Sequence, residues 1–202
     1  MKEINIYLIR HAKTSMNKGI TFCGSSNVSI CKEGISKAKN ISKKPVLKDI
    51  EDIYITNLIR TKQTADILFG EEKEKKIIPE FAEIDFGDFE GTSITEETIN
   101  NKIYQDWLYN YKNLTFPNGD NMHYRAKQAR RVLEDIVSDT KASNIAIVSH
   151  CTLIRILLSE IIMGDIDIFH EIPSDNLGIT KLIYKDGKFK IKYINVDFAM
   201  FK

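Results

Sequence analysis

Two apolar segments of the chain each end at a histidine. Ile4 to Ile9 is apolar enough for a buried strand and leads into Arg10 and His11. The stretch Asn144 to Ser149 has the same character and leads into His150. The sequence therefore predicts two buried strands with an imidazole directly after each.

Apolar residues at helical spacing predict helices between and after these strands. The predicted helices are Glu33–Lys44, a helix capped by Thr56 or Asn57, a stripe of Ile99, Ile103, Trp107 and Tyr111, a segment around Ala129–Val137, and Thr152–Met163. The Asp-Gly turn between 179–184 and 189–194 predicts a hairpin. This alternation favours an α/β fold, a three-layer α/β/α sandwich with a mostly parallel central sheet. Without repeats or linkers, residues 1–202 are interpreted as a single domain.

Composition narrows the classes of partner. The 202 residues are 43% hydrophobic and 28% charged, and 29 Lys and Arg against 28 Asp and Glu leave a net charge of +1. This balance argues against nucleic acid and an anionic membrane surface as partners. No apolar stretch approaches the roughly 20 residues that span a bilayer. Three cysteines without metal-like or disulfide spacing favour a cytoplasmic, reduced protein with no metal. A homodimer is compatible with the sequence, which selects no interface.

The two histidines predict a common site. Ligands of open α/β sheets bind at the carboxyl ends of strands, so His11 and His150 would face one pocket if their strands are neighbours. Arg10 stands beside His11, and Arg60 falls in the first turn of the helix after Thr56. Guanidinium groups match phosphate geometry, and a neutral imidazole can attack phosphorus.

Such a reaction needs a carboxylic acid to protonate the leaving oxygen. Glu83 is the preferred candidate for this acid. Three nearby residues could do the same work and stay open as alternatives: Asp85, Asp88 and Glu90.

Five ordered blocks resemble the histidine phosphatase superfamily, the phosphoglycerate mutase-like group. They are 8–14 with Asn17 behind it, 22–24 with Gly34 and Ala38, 56–65, 81–91, and 148–150 with Ile154 and Arg155. The resemblance implies His11 as the nucleophile and Glu83 as the proton donor, with the phosphate bound by Arg10, Asn17, Arg60 and His150. It implies no metal and no organic cofactor. It also implies that about 85–125 forms a lid-like segment over the pocket, and that the ligand is a small phosphorylated metabolite.

Two residues directly after the nucleophile depart from the family pattern. Ala12 stands where the family usually has Gly, and Lys13 where it often has Glu. The short chain, with Met16 before Asn17, resembles the α-ribazole phosphatase and broad-specificity phosphatase branch and favours hydrolysis. Two alternatives stay open: a cofactor-dependent phosphoglycerate mutase, and a non-catalytic phosphate-ligand binding protein of the same fold.

Overall fold

A single six-stranded sheet organises the molecule. The structure, a computed structural model, describes residues 3–18, 21–93 and 95–201. The strands are β1 Ile4–Arg10, β2 Asp52–Ile55, β3 Lys76–Ile77, β4 Asn144–Ser149, β5 Ile179–Lys185 and β6 Lys188–Val196, in the spatial order β3-β2-β4-β1-β5-β6. The pairs β2–β3, β2–β4 and β1–β4 are parallel, whereas β1–β5 and β5–β6 are antiparallel. The prediction of a mostly parallel central sheet is confirmed.

Helices cover both faces of this sheet. They are α1 Lys32–Ile41, α2 Ile59–Phe69, α3 Glu96–Asn100, α4 Lys102–Asn110, α5 Met122–Asp139 and α6 Cys151–Met163. Strand β1 shows the layering, because Ile6 and Leu8 join the core formed with α5 and α6, while Tyr7 and Ile9 join the core formed with α1 and α2. Alternate residues of a strand point to opposite faces, so a strand covered on both faces is apolar throughout. The three-layer sandwich is thereby confirmed.

Two helix predictions need correction. Leu58, and not Thr56 or Asn57, occupies the N-cap position of α2, without a side-chain cap. The predicted stripe of residues 99–111 is divided between α3 and α4, because Asn101 is extended and its side chain accepts hydrogen bonds from the first N–H groups of α4. An asparagine at an N-cap satisfies donors that a continuous helix would use itself. Ile99 and Ile103 consequently lie exposed.

The hairpin of β5 and β6 forms as predicted. Asp186 and Gly187 both have positive φ, 54° and 76°, as a two-residue turn with the twist of the strands requires. Antiparallel pairing then places β5 beside β1, with Ile179 opposite Ile9. The residues just before β5 therefore lie next to the end of β1. In the described part of the chain, no helix combines the length and apolar character needed to cross a membrane.

Candidate active site

Parallel pairing of β1 and β4 brings the two predicted imidazoles together. Arg10 and Ser149 are register partners, and the His11 N–H donates to the Ser149 carbonyl at 2.9 Å. The next residue on each strand is a histidine, and the ring centroids of His11 and His150 lie 5.2 Å apart. The sheet register thus produces the juxtaposition that the sequence predicted.

His11 is buried and held in one tautomer. Its side chain lies at the end of β1 with 5% exposure. The ring Nδ1 is 2.8 Å from the carbonyl oxygen of Ala12, which can only accept, so Nδ1 carries the proton. Burial, then the charges of Arg60 and Arg10, hold the pKa of His11 well below its ordinary value of 6.5. The imidazole is therefore neutral, with its lone pair on Nε2.

His150 has both ring nitrogens engaged. The Nε–H of Arg60 donates to His150 Nδ1 at 3.2 Å, which leaves the proton of the neutral ring on Nε2. That nitrogen lies 3.0 Å from the hydroxyl oxygen of Thr56. Burial, followed by the charge of Arg60, lowers the pKa of His150 well below its ordinary value. Thr56 therefore holds His150 instead of capping α2, a role that sequence reasoning missed.

Arg60 also organises the loop beneath the site. Its guanidinium donates to the carbonyls of Gly24 at 2.8 Å and Ser26 at 2.7 Å. The carboxylate of Glu90 accepts from the N–H groups of the same two residues. Arg60 and His150 are both fully buried, and the residues that line the adjacent cavity do not include them. The structure thus places them behind His11.

The cavity has a volume of about 510 Å³. Of the predicted site residues, Arg10, His11, Asn17 and Glu83 line it. The Nε of Arg10 is buried and has no acceptor among the described residues. Because an unpaired buried donor is destabilising, this atom is suited to an anionic ligand. The oxygen of the Asn17 amide accepts from the Thr14 N–H at 2.9 Å, which leaves the Nδ2 donors for the cavity side.

Among the four candidate acids, only Glu83 lines the cavity. Its carboxylate accepts from the N–H groups of Thr152 at 3.1 Å and Leu153 at 3.0 Å, at the beginning of α6. Asp85 accepts a hydrogen bond from the Gly87 N–H. Asp88 accepts one from the side-chain amide of Asn118, and Glu90 accepts one from the Gly24 N–H in the loop that Arg60 contacts. The structure brings Glu83 to the same cavity as His11.

Large apolar side chains also line the cavity. They include Phe22, Phe86, Tyr104, Trp107, Met122 and Phe169. Four of these come from the predicted lid segment 85–125, of which Ile94 lies outside the described residues. Sequence reasoning missed Asn176, whose amide donates to the His11 carbonyl at 3.0 Å, and the cavity position of Arg155. No local pattern marks Asn176, because only strand pairing brings it to the site. Arg155 belongs to a block that resembles the family, but its place in the cavity wall depends on helix packing.

The two departures from the family pattern fit this geometry. Ala12 is buried, its φ is not positive, and its N–H donates to Thr64 Oγ1 at 2.9 Å. Lys13 is ion-paired with Glu33 at 2.8 Å and lines a different pocket. A methyl group is therefore accommodated at residue 12 without strain, and the charge of Lys13 is directed away from His11. In the described part of the chain, no three His, Cys, Asp or Glu side chains are grouped to hold a metal ion.

Comparison with known sequences identifies the family. A sequence profile of the histidine phosphatase superfamily (branch 1) matches residues 6–197. The chain belongs to this superfamily. It is accordingly a phosphatase enzyme, and the resemblance noted in its motifs is confirmed.

Relatives of this histidine phosphatase cover most of its length. It is 26% identical to "Uncharacterized phosphatase PhoE" of Bacillus subtilis, over 95% of this chain and 94% of the relative. It is 23% identical to the adenosylcobalamin/alpha-ribazole phosphatase of Salmonella typhimurium, over 79% of this chain and 80% of that one.

Solved structures share the fold. A mutant phosphoserine phosphatase from Entamoeba histolytica, in complex with phosphoserine, superposes with a TM-score of 0.86 at 24% identity, over 95% of this chain and 96% of that one. The Entamoeba histolytica enzyme in complex with 3-phosphoglyceric acid gives 0.84 at 22% identity, over 96% and 97% of the two chains.

Proposed function

We propose that this phosphatase hydrolyses a small phosphate monoester through a phosphohistidine intermediate on His11. The observation that carries the proposal is the state of His11: a neutral imidazole with Nδ1 bonded to the Ala12 carbonyl and the lone pair on Nε2. His11 lines a cavity together with Arg10, whose buried Nε has no acceptor among the described residues. A neutral nucleophile beside a cationic phosphate site is the requirement of the reaction.

In the first step, Nε2 of His11 forms a bond to phosphorus while the bond from phosphorus to the ester oxygen breaks. Arg10 and the Nδ2 group of Asn17 bind phosphoryl oxygens and offset their charge in the transition state. The carboxylic acid of Glu83 protonates the leaving oxygen.

In the second step, water attacks phosphorus and the bond to Nε2 breaks. The carboxylate of Glu83 takes a proton from this water, so each group returns to its starting state. The hydrogen bond between Nδ1 and the Ala12 carbonyl keeps the imidazole oriented through both steps.

Arg60 and His150 support this reaction from behind His11. The proposal includes direct contact of both residues with the phosphate. His150 lies against His11, and among the described residues three of the five N–H groups of Arg60 have acceptors, which leaves two for a phosphoryl oxygen. The charge of Arg60 also keeps both imidazoles neutral.

The relatives and the cavity size support hydrolysis of a metabolite. Phosphoserine and 3-phosphoglyceric acid are bound in structures of the same fold, and an alpha-ribazole phosphatase is among the sequence relatives. A cavity of about 510 Å³ leaves room for a leaving group of that size. The fit of Ala12 and Lys13 weakens the reading of a non-catalytic binding protein.

The test uses para-nitrophenyl phosphate and 3-phosphoglycerate in EDTA. Metal-independent release of phosphate is expected, whereas isomerisation without release would indicate a mutase, and no reaction with a wide panel of esters would indicate a binding protein. His11→Ala should abolish turnover, and His123→Ala serves as the matched control because His123 does not line the cavity. Rapid quenching should trap an acid-labile phosphoprotein in the wild type but not in His11→Ala.

A further inference from the structure

Arg155 is a half-buried cation in the wall of the active-site cavity. It lies on α6, four residues after Cys151, which corresponds to about 6 Å along the helix. Its Nε donates to the Phe169 carbonyl at 2.8 Å and its Nη2 to the His170 carbonyl at 2.6 Å. The guanidinium also lies over the Phe169 ring, 5.6 Å from its centroid. These contacts hold the group in place before any ligand arrives.

No carboxylate neutralises Arg155. Within residues 3–18, 21–93 and 95–201, no Asp or Glu lies within 4 Å of its nitrogens, whereas Arg125 and Arg130 are both ion-paired. Two titratable neighbours of Arg155, His170 and Cys151, do not carry a compensating negative charge. Burial, followed by the charge of Arg155, lowers the pKa of His170, and burial raises the pKa of the Cys151 thiol. Among the described residues, acceptors exist for two of the five N–H groups of Arg155, so three, including both on Nη1, remain for a ligand.

The charge of Arg155 is available to a ligand in the cavity. The carboxylate of Glu90 acts on the charge of Arg60, whereas Arg155 faces the cavity and has no carboxylate within 4 Å among the described residues. A planar guanidinium with several free N–H groups is suited to a carboxylate, which it can bind through two parallel hydrogen bonds.

We propose that Arg155 determines substrate specificity by binding a carboxylate on the leaving group. The substrate class is then a phosphate ester of a small hydroxy acid, with a short carbon chain between its two anionic ends. Its carbon atoms would pack against the apolar wall formed by Phe22, Trp107 and Phe169. This inference rests on the proposed function, since it concerns the leaving group of the same reaction.

The test compares 3-phosphoglycerate with glycerol 3-phosphate, in which a hydroxymethyl group replaces the carboxylate. Phosphate release is measured as kcat/KM for both esters. Charge-assisted hydrogen bonds to a carboxylate should give the wild type a preference of about tenfold to a hundredfold for 3-phosphoglycerate. In Arg155→Gln the ratio should fall close to one, and Arg155→Lys should keep part of it. Arg131→Gln is the matched control, because it removes the same charge from an exposed position of α5.

Each remaining outcome counts against the inference. It is overturned if the wild type hydrolyses both esters equally well, or if Arg155→Gln lowers both rates by the same factor. Should Arg155→Gln fail to fold, the wild-type preference and a reduced ratio in Arg155→Lys decide the question. Para-nitrophenyl phosphate distinguishes a failure of this inference from a failure of the proposed function. If the protein hydrolyses this ester but shows no preference for 3-phosphoglycerate over glycerol 3-phosphate, only the role of Arg155 is refuted. No hydrolysis of any ester refutes the proposed function together with this inference.

Discussion

Lowering the pH should destabilise the folded protein through its two buried imidazoles. The pKa values of His11 and His150 both lie well below the ordinary 6.5, because each ring is buried and lies beside Arg60. The unfolded chain takes up protons as the pH falls through 6.5, whereas the folded protein does not. The stabilising contribution of both groups is therefore present above pH 6.5, and it is lost as the pH falls towards the folded-state pKa values.

The size of this effect follows from proton linkage. Between about pH 7.5 and about pH 5.5, each histidine that stays neutral in the folded state contributes a loss of about 1.4 kcal/mol, and the pair about 2.7 kcal/mol. The full value applies when both folded-state pKa values lie below this range. For a chain of this length, such a loss corresponds to a fall in Tm of roughly 5 to 10 °C. His170, whose pKa is also lowered by burial, acts in the same direction.

Urea unfolding at the two pH values measures this difference directly. The free energy of unfolding should be lower at the acidic pH, and His11→Gln should remove about half of the pair's contribution because glutamine does not titrate. His123→Gln is the matched control, at a histidine outside the cavity. The reasoning is refuted if the free energy of unfolding is unchanged or higher at the acidic pH, since that would mean that the imidazoles are protonated in the folded protein.

Three substitutions test other parts of the site and the lid. Thr56→Val removes the acceptor of the His150 Nε2–H in a fully buried position. The free energy of unfolding, measured by urea titration, should therefore fall by about 1–3 kcal/mol, while that of Thr56→Ser should stay near the wild-type value. Glu83→Gln should lower kcat by about 10²- to 10⁴-fold for an alkyl phosphate. The loss should be smaller for para-nitrophenyl phosphate, because its leaving oxygen needs little protonation. Equal losses with both substrates would argue against a proton donor at this position. Gly87→Ala places a Cβ 1.9 Å from the Pro117 carbonyl oxygen at a φ of 54°, so thermal unfolding should occur at a clearly lower temperature, and an unchanged Tm would contradict the close packing of the lid.

One chain of contacts joins the loop below the site to the nucleophile. The Gly24 carbonyl accepts from Arg60, Arg60 donates to His150, and His150 lies against His11. Arg60 has no carboxylate within ion-pair distance among the described residues, and carbonyl oxygens stabilise its buried charge. Besides burial, its charge lowers the pKa of both imidazoles. The neutral state of the nucleophile is thus a property of the whole arrangement and not of His11 alone.

Local pattern in the sequence was sufficient for the layers of the fold and the main chemistry. Strands such as β1 and β4, covered on both faces, must be apolar throughout, and this signal is visible without coordinates. The residues that end these strands, His11 and His150, could be assigned to one edge of the sheet for the same reason. Motif resemblance added Asn17 and agreed with the choice of Glu83, and both residues line the cavity with His11.

Tertiary structure decided which polar groups share hydrogen bonds and which remain for a ligand. Thr56 was predicted to be a helix cap, yet it holds His150, because the β2–β4 pairing brings the two residues together from 94 positions apart. Asn176 gave no local signal, and the motif block that contains Arg155 did not reveal its place in the cavity wall, since strand pairing and helix packing alone bring these two residues there. A side chain's partners are set by neighbours distant in sequence, and the spacing of residues along one segment carries no information about them.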